Sequence, residues 1–240
     1  MIRFLFLLLV FVGGLAGAAA WFGEIHHLRR AMPATLPGWT QDISARSGLR
    51  NGQIELRATG VRPALTLHWT ARRPDTDGLL WDVRLVGQGV DITAELLVPY
   101  WPQKALIRNG AGGVLLADLP GVQAKGLVVL SDLTGEISDL VGTRQMTGAL
   151  SAQARGISVS GTDLGDGPVT ASLSADGRWQ AQATLQGGTG PLGATLVKQG
   201  AMLDIALTGT DALPPAVRQP LQRFGRQDGD ALRFSLPFGL

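Results

Sequence analysis

Two patterns of apolar positions divide this chain. Phe4–Phe22 is a run of nineteen residues without a charge, and from Gln53 onward apolar and polar residues alternate one for one. A helix through the first run, rising about 1.5 Å per residue, spans roughly the 30 Å hydrocarbon core of a bilayer. The alternation that follows has the period of half-buried strands. Ile54, Leu56 and Ala58 oppose Gln53, Glu55, Arg57 and Thr59, and Leu65, Leu67, Trp69 and Ala71 oppose Thr66, His68 and Thr70. Trp81/Val83/Leu85 and Val90/Ile92/Ala94/Leu96/Val98 continue the pattern. The breaks at Arg62-Pro63, Pro74–Gly78 and Gly87-Gln88-Gly89 are turn-formers.

Further on, Tyr100–Pro102 interrupts the pattern with Pro-flanked aromatics, and Gly110–Gly113 reads as a glycine-rich turn. Gly126–Leu130 and Leu133–Leu140 read as two more strands. Alternation returns in Leu150/Ala152/Ala154, Val169/Ala171/Leu173/Ala175, Trp179/Ala181/Ala183/Leu185 and Leu203/Ile205/Leu207. About a dozen strands at this spacing suggest a meandering antiparallel sheet. One helix is expected near the end. Asp211 is its candidate N-cap, Pro214-Pro215 its first turn, and Val217, Leu221 and Phe224 its apolar stripe, with Gly225 as the stop. Leu232, Phe234 and Leu236 then form a last strand.

The expected architecture is therefore all-β: a single N-terminal transmembrane helix, a long curved antiparallel sheet, and one short C-terminal helix. Residues 1–23 form the anchor, 24–51 a Pro-punctuated connector and 52–240 the β-rich body. Small inward residues, alanine above all in the second half, suit one sheet folded on itself better than a thick sandwich. A closed outer-membrane barrel is disfavoured by the long apolar start and the missing aromatic girdles.

For the apolar run, Ala18-Ala19-Ala20 would fit a signal-peptide cleavage site. Its length, with Trp21 and Phe22 at the interface, favours an uncleaved anchor. Arg3 argues for a cytoplasmic N-terminus, although Arg29 and Arg30 beyond the run count against it. In a Gram-negative bacterium that orientation places the protein in the inner membrane as a single-pass chain, with its bulk in the periplasm.

Composition adds little chemistry. The 240 residues carry a formal net charge of +2 with arginines scattered through strands, so nucleic acid is not indicated. No cysteine is present, which removes disulfides, thiolate nucleophiles and thiolate metal sites. His26, His27 and His68 form no ligand spacing, and Asp75/Asp77 and Asp163/Asp166 sit among turn-formers without an EF-hand pattern. There is no G-x-S-x-G elbow, and Gly187-Gly188-Thr189-Gly190 lacks the Lys-Ser/Thr of a P-loop. Arg226 and Asp228 are read as a structural clasp at the helix end. No catalytic residue, cofactor site or metal site is expected, and an enzyme is not indicated.

The end of the chain carries the most specific motif: Leu213-Pro214-Pro215, Leu221, Phe224-Gly225-Arg226-Gln227-Asp228-Gly229, then alternating Leu232/Phe234/Leu236. With the Leu133-Thr134-Gly135-Glu136 segment and the Gly52–Trp69 region, it resembles protein N of the type II secretion system. The resemblance implies a bitopic inner-membrane protein with a β-rich periplasmic body. It further implies a non-catalytic accessory part of a machine that exports folded proteins across the outer membrane, with other secretion subunits as partners. The alternative is a periplasmic lipid-binding or lipid-transfer protein, AsmA-like or lipopolysaccharide-bridge-like. In that reading Leu65, Leu67, Trp69, Val90, Ile92 and Leu96 line an apolar groove for acyl chains.

Overall fold

The computed structural model describes residues 39–43, 48, 50–58, 65–72, 74, 76–100, 104–119, 124–138, 145–159, 161–187, 190–200, 202–213 and 215–237. The anchor expected over residues 1–23 lies outside these, as does most of the connector. Among the described residues no helix is long and apolar enough to cross a membrane.

The strands are β1 (Trp39–Ile43), β2 (Asn51–Ala58), β3 (Leu65–Ala71), β4 (Gly78–Gly87), β5 (Val90–Pro99), β6 (Lys104–Leu115) and β7 (Ala124–Ser138). They continue as β8 (Gln145–Val159), β9 (Thr162–Leu173), β10 (Trp179–Gly187), β11 (Gly190–Gln199) and β12 (Met202–Thr208). The helix α1 (Pro215–Phe224) follows, then β13 (Arg226–Asp228) and β14 (Ala231–Pro237). All fourteen strands belong to one sheet, in chain order except that β14 inserts between β12 and β13. Every pairing is antiparallel. Among the described residues β1 lies at one edge of the sheet and β13 at the other, with no pairing between them.

Register turns the period-two pattern into a continuous face. One line of cross-strand partners runs Ile54–Leu67–Leu85–Ile92–Gly112–Leu130–Ala152. It continues Val169–Ala183–Ala194–Leu207–Leu232 without meeting a polar residue. A one-residue slip in any strand would throw its whole apolar set to the opposite face, so this alignment specifies the register. Polar partners form the other face over much of the sheet, as in Thr70–Asp82–Glu95–Arg108.

Several expectations are corrected. Gly110–Gly113 is not a turn but lies inside β6. The ladders shift register between Thr93 and Glu95 and again around Gly110, so the glycines mark bulges in a continuous strand. A Cβ on Gly112 would fall within 2.2 Å of the Asp91 carbonyl oxygen, which explains why that position carries no side chain. The two strands expected at Gly126–Leu130 and Leu133–Leu140 are one strand, β7, with a register shift between Leu130 and Asp132. The bulge breaks the alternation there without ending the pairing. β1 falls within the stretch read as connector, and β6, β11 and β13 bring the strand number above a dozen.

Asp211 does not cap α1. It lies in a 3-10 turn, Thr210–Ala212, and its Oδ1 accepts a hydrogen bond from Arg218 Nη1 at 3.1 Å. The helix starts at Pro215, where the fixed φ of proline and its missing N–H suit a first position. Asp228 pairs with Arg233 at 3.0 Å rather than with Arg226, because β13 folds directly onto β14.

Burial is uneven. Among the described residues the buried hydrophobic ones begin in chain order at Leu97 and continue through Ala105, Leu130, Ala152, Ala154, Ile157, Leu185, Leu213 and Leu232. Ala154, Ile157 and Leu185 form one cluster, with Leu116, Leu164 and Val169 packed against it. At the far end, the start of the helix-to-strand connection closes tightly on the sheet. A Cβ on Gly225 would stand 2.8 Å from both Leu232 and Phe234, and Leu232 is 1 % exposed.

Candidate functional site

The six residues expected to line an apolar groove do share one face. Leu67 sits opposite Leu85, which sits opposite Ile92. Trp69 reaches β5 through Val83 and Ala94, and Leu96 reaches β3 through Trp81 and Ala71. Leu65 and Val90 extend the same alternation at the ends of their strands. All six are half-buried, so large apolar side chains remain partly open to solvent here. Trp69 is fixed by its indole, whose Nε1 donates to the Gly48 carbonyl at 2.9 Å. That bond holds a polar tip while the ring lies on the apolar face.

The face continues past β5 into a dent. Ile107, Gly135, Gly148 and Leu173 are successive cross-strand partners, and the two glycines leave nothing between the flanking side chains. The resulting open hollow, bordered also by Thr134 and Ala149, measures about 510 Å³. Sequence reasoning missed it, because pairing of Gly135 with Gly148 depends on register and not on spacing along the chain.

The opposite face of β3–β6 is charged. Arg72 bridges two strands: Nε and Nη2 bond the Asp82 carboxylate at 2.8 and 2.6 Å, and Nη1 bonds Glu95 Oε1 at 2.8 Å. Asn109 Nδ2 donates to the second Glu95 oxygen at 2.7 Å. Arg84 holds Asp91 in a two-point contact, Nε to Oδ1 at 2.8 Å and Nη2 to Oδ2 at 2.6 Å. Asn109, with φ of 52°, is the one non-glycine residue of positive φ among the described residues, and it stands at the β5–β6 bulge. Asparagine tolerates that backbone, and here it aims its amide at Glu95.

Hydrogen bonding to the Asp82 carboxylate raises the Arg72 guanidinium above its ordinary value, against a smaller opposing effect of burial. Arg84 hydrogen-bonded to Asp91 is likewise raised, and its guanidinium holds the Asp91 carboxyl below the usual carboxylate range. His68, Arg72, Arg84, Glu95 and Asn109 border an open hollow of about 670 Å³ on this face. Every carboxylate in it already has a cationic or amide partner. The arrangement braces four strands.

The paired aspartates also serve the backbone. Asp163 Oδ1 accepts the Gly165 N–H at 2.9 Å and Asp166 Oδ1 accepts the Gly156 N–H at 2.6 Å. Both bonds satisfy N–H groups beside the β8–β9 register shifts, so turn-type chemistry operates inside a bulged strand. Among the described residues no group of His, Asp and Glu is placed to hold a metal ion.

Set against known proteins, residues 15–234 match the family model described as type II secretion system (T2SS), protein N. Comparison with curated proteins gives no match, and comparison with solved structures gives none.

Proposed function

The chain belongs to the type II secretion system protein N family, and on that premise we propose that it is a non-catalytic accessory subunit of the secretion machine. It acts in assembly or as a scaffold, tethered in the inner membrane by residues 1–23 with the β-rich body, residues 52–240, in the periplasm. The observation that carries this reading is the family match across most of the chain. It is supported by the charged face of β3–β6, where Asp82, Glu95 and Asp91 are held in ion pairs by Arg72 and Arg84. Its partners are other secretion subunits of the inner membrane and periplasm.

The test is deletion of the gene followed by assay of exported type II substrates. Loss of export, restored by the full-length chain, is the expected result; normal export removes the reading. Crosslinking in intact cells, with N-terminal sequencing of the recovered product, checks the tether separately. An intact Met1 and crosslinks to inner-membrane secretion subunits are expected, whereas a mature chain beginning near Trp21 would remove the anchor.

A second reading rests on the half-exposed side chains of Leu65, Leu67, Trp69, Val90, Ile92 and Leu96. On a single open sheet such a face also suits an acyl chain, as in a lipid-handling protein. Mass spectrometry of the detergent-extracted protein separates the two. A stoichiometric acyl chain, lost on Trp69→Glu, favours lipid handling; its absence leaves the face as a packing surface.

A further inference from the structure

The two edges of the sheet are built differently. At the C-terminal edge β13 is three residues long, wholly exposed, and charged at both ends by Arg226 and Asp228. The stretch of β14 that β13 leaves open, Phe234–Pro237, closes on a proline. Short strands, edge charges and proline are the devices that keep a sheet edge from pairing with another chain. At the other edge β1, Trp39–Ile43, pairs with β2 over its whole length, and no strand lies on its outer side among the described residues. It carries no proline and no register shift, and its single charge is Asp42. Unpaired N–H and C=O groups along such a strand are a template for a further strand.

The order of residues in β1 suits a second copy of itself. An antiparallel pair about a two-fold axis at Gln41 sets Gln41 opposite Gln41 of the second copy, Trp39 opposite Ile43, and Thr40 opposite Asp42. Trp39, Gln41 and Ile43 stand opposite Ala58, Leu56 and Ile54 of β2 and so belong to the apolar face. A two-fold axis normal to the sheet keeps that face on the same side in both copies. Two aromatic–β-branched pairs then form on it, a kind of cross-strand pair that stabilises a sheet. On the other face, Asp42 stands opposite Glu55 and Thr40 opposite Arg57. In the joined sheet a row ending in Glu55 and Asp42 on one copy continues through Thr40 to Arg57 on the other, so acid runs toward base. Moving the axis to Asp42 would set like charges directly opposite, and moving it to Thr40 would leave Ile43 without a partner residue.

We propose that β1 is a self-association edge: two copies of this chain join through Trp39–Ile43, antiparallel about Gln41, and continue one apolar face across both sheets. The chain before β1 permits this arrangement. The two Trp39 positions are offset by about 13 Å along the strands. The fifteen residues 24–38 reach about 50 Å when extended, so both chains can return to one bilayer. Confinement there raises the local concentration of the second copy. That gain, though not the pairing itself, rests on the inner-membrane tether of the proposed function.

The chain has no cysteine, so a single introduced thiol reports one position. Full-length protein carrying Gln41→Cys is reconstituted in phosphatidylcholine vesicles, oxidised with copper phenanthroline and run on a non-reducing gel. Directly opposite residues of antiparallel strands have Cα atoms about 4.5–5.5 Å apart, within disulfide reach, whereas a residue and its own copy two positions off register exceed about 7 Å. Gln41→Cys is expected to give a linked dimer as the main product. Thr40→Cys and Asp42→Cys are each expected to stay monomeric alone and to link when mixed. Protein that does not float with the vesicles removes the tether, and the same oxidation in solution then decides the pairing. Three outcomes overturn the proposal. One is no disulfide at Gln41→Cys in correctly floated protein, and another is equal linkage of all three variants alone, the mark of random collision. The third is linkage of Gln41→Cys to Ser235→Cys in preference to itself, which joins the copies head to tail through β14.

Discussion

The sheet has two halves that use their apolar faces differently. In β2–β5 the face carries leucine, isoleucine, valine and two tryptophans, yet Leu65, Leu67, Trp69, Trp81 and Leu85 are only half-buried. In β8–β10 the same face carries mostly alanine, and there Ala152 and Ala154 are buried, Ala154 to 2 % exposure. Side-chain size therefore does not set burial in this molecule. A large side chain on a single sheet layer stands up into solvent unless something is laid over it. A small one is covered by its taller neighbours, as Ala154 is by Ile157, Leu185, Leu116 and Val169. The distal half also has a lid of its own in the turn before α1 and the Gly225 junction, which bury Leu213 and Leu232. In β2–β5 the large side chains of this face are left half-open.

Substitutions can break this contrast. The largest effect is expected at Gly167, where a Cβ would lie 1.8 Å from the Thr184 carbonyl oxygen, so that two central strands cannot both keep their places. Gly167→Ala costs about 4 kcal/mol or more in denaturant unfolding, or leaves no folded protein. Gly161→Ala costs about 1 kcal/mol, because φ is +80° there but the space is open. Equal effects at the two sites would mean that β9 and β10 are not so closely apposed.

Next come the apolar faces themselves. Leu232→Ala, at a fully buried position, loses about 3 kcal/mol. Leu67→Ala, on the half-exposed face, loses about 1 kcal/mol, since part of the side chain already meets water. Comparable losses, measured from the urea midpoints of full-length protein in micelles, would show that something covers the β3–β5 face. That is the outcome expected if a partner or an acyl chain stays bound through purification.

The smallest effect belongs to the charged face. Because Arg84 lowers the folded pKa of Asp91 below its unfolded value of about 3.9, the pair contributes stability above that pH. The contribution is lost as pH falls through the folded pKa. Asp91→Asn therefore flattens the acid limb of stability below about pH 5 without moving the midpoint at high salt, where an exposed pair is screened. A variant with an unchanged acid limb would mean that the two-point contact does not persist in solution.

Much of the strand content was legible because one period governs it. The alternations over β2–β5 and β8–β10 each mark a real strand, and the six apolar positions picked from β3 and β5 do share a face. The stretches that escaped are those in which glycine, proline or charge masks the period. Gly110, Gly112 and Gly113 hide β6 behind a bulge, the Gly-Pro start and Gly193 obscure β11, and β13 is only three residues long and wholly exposed. Charge pairing was legible only in part. Arg226 and Asp228 are two apart in sequence, on one side of one strand, but Asp228 meets Arg233 across the hairpin.

The sequence by itself determined the strand period, the identity of the apolar face and the position of the helix between the last long strands, because these follow from local spacing and turn chemistry. It also carried the family, whose model matches residues 15–234. Only the tertiary structure decided which glycines fall inside strands, which acid each arginine meets, and which half of the apolar face is covered. It also decided where β14 is left with an open edge. Each of these depends on which residues stand opposite one another across strands, and the backbone register that fixes this is a property of the assembled sheet.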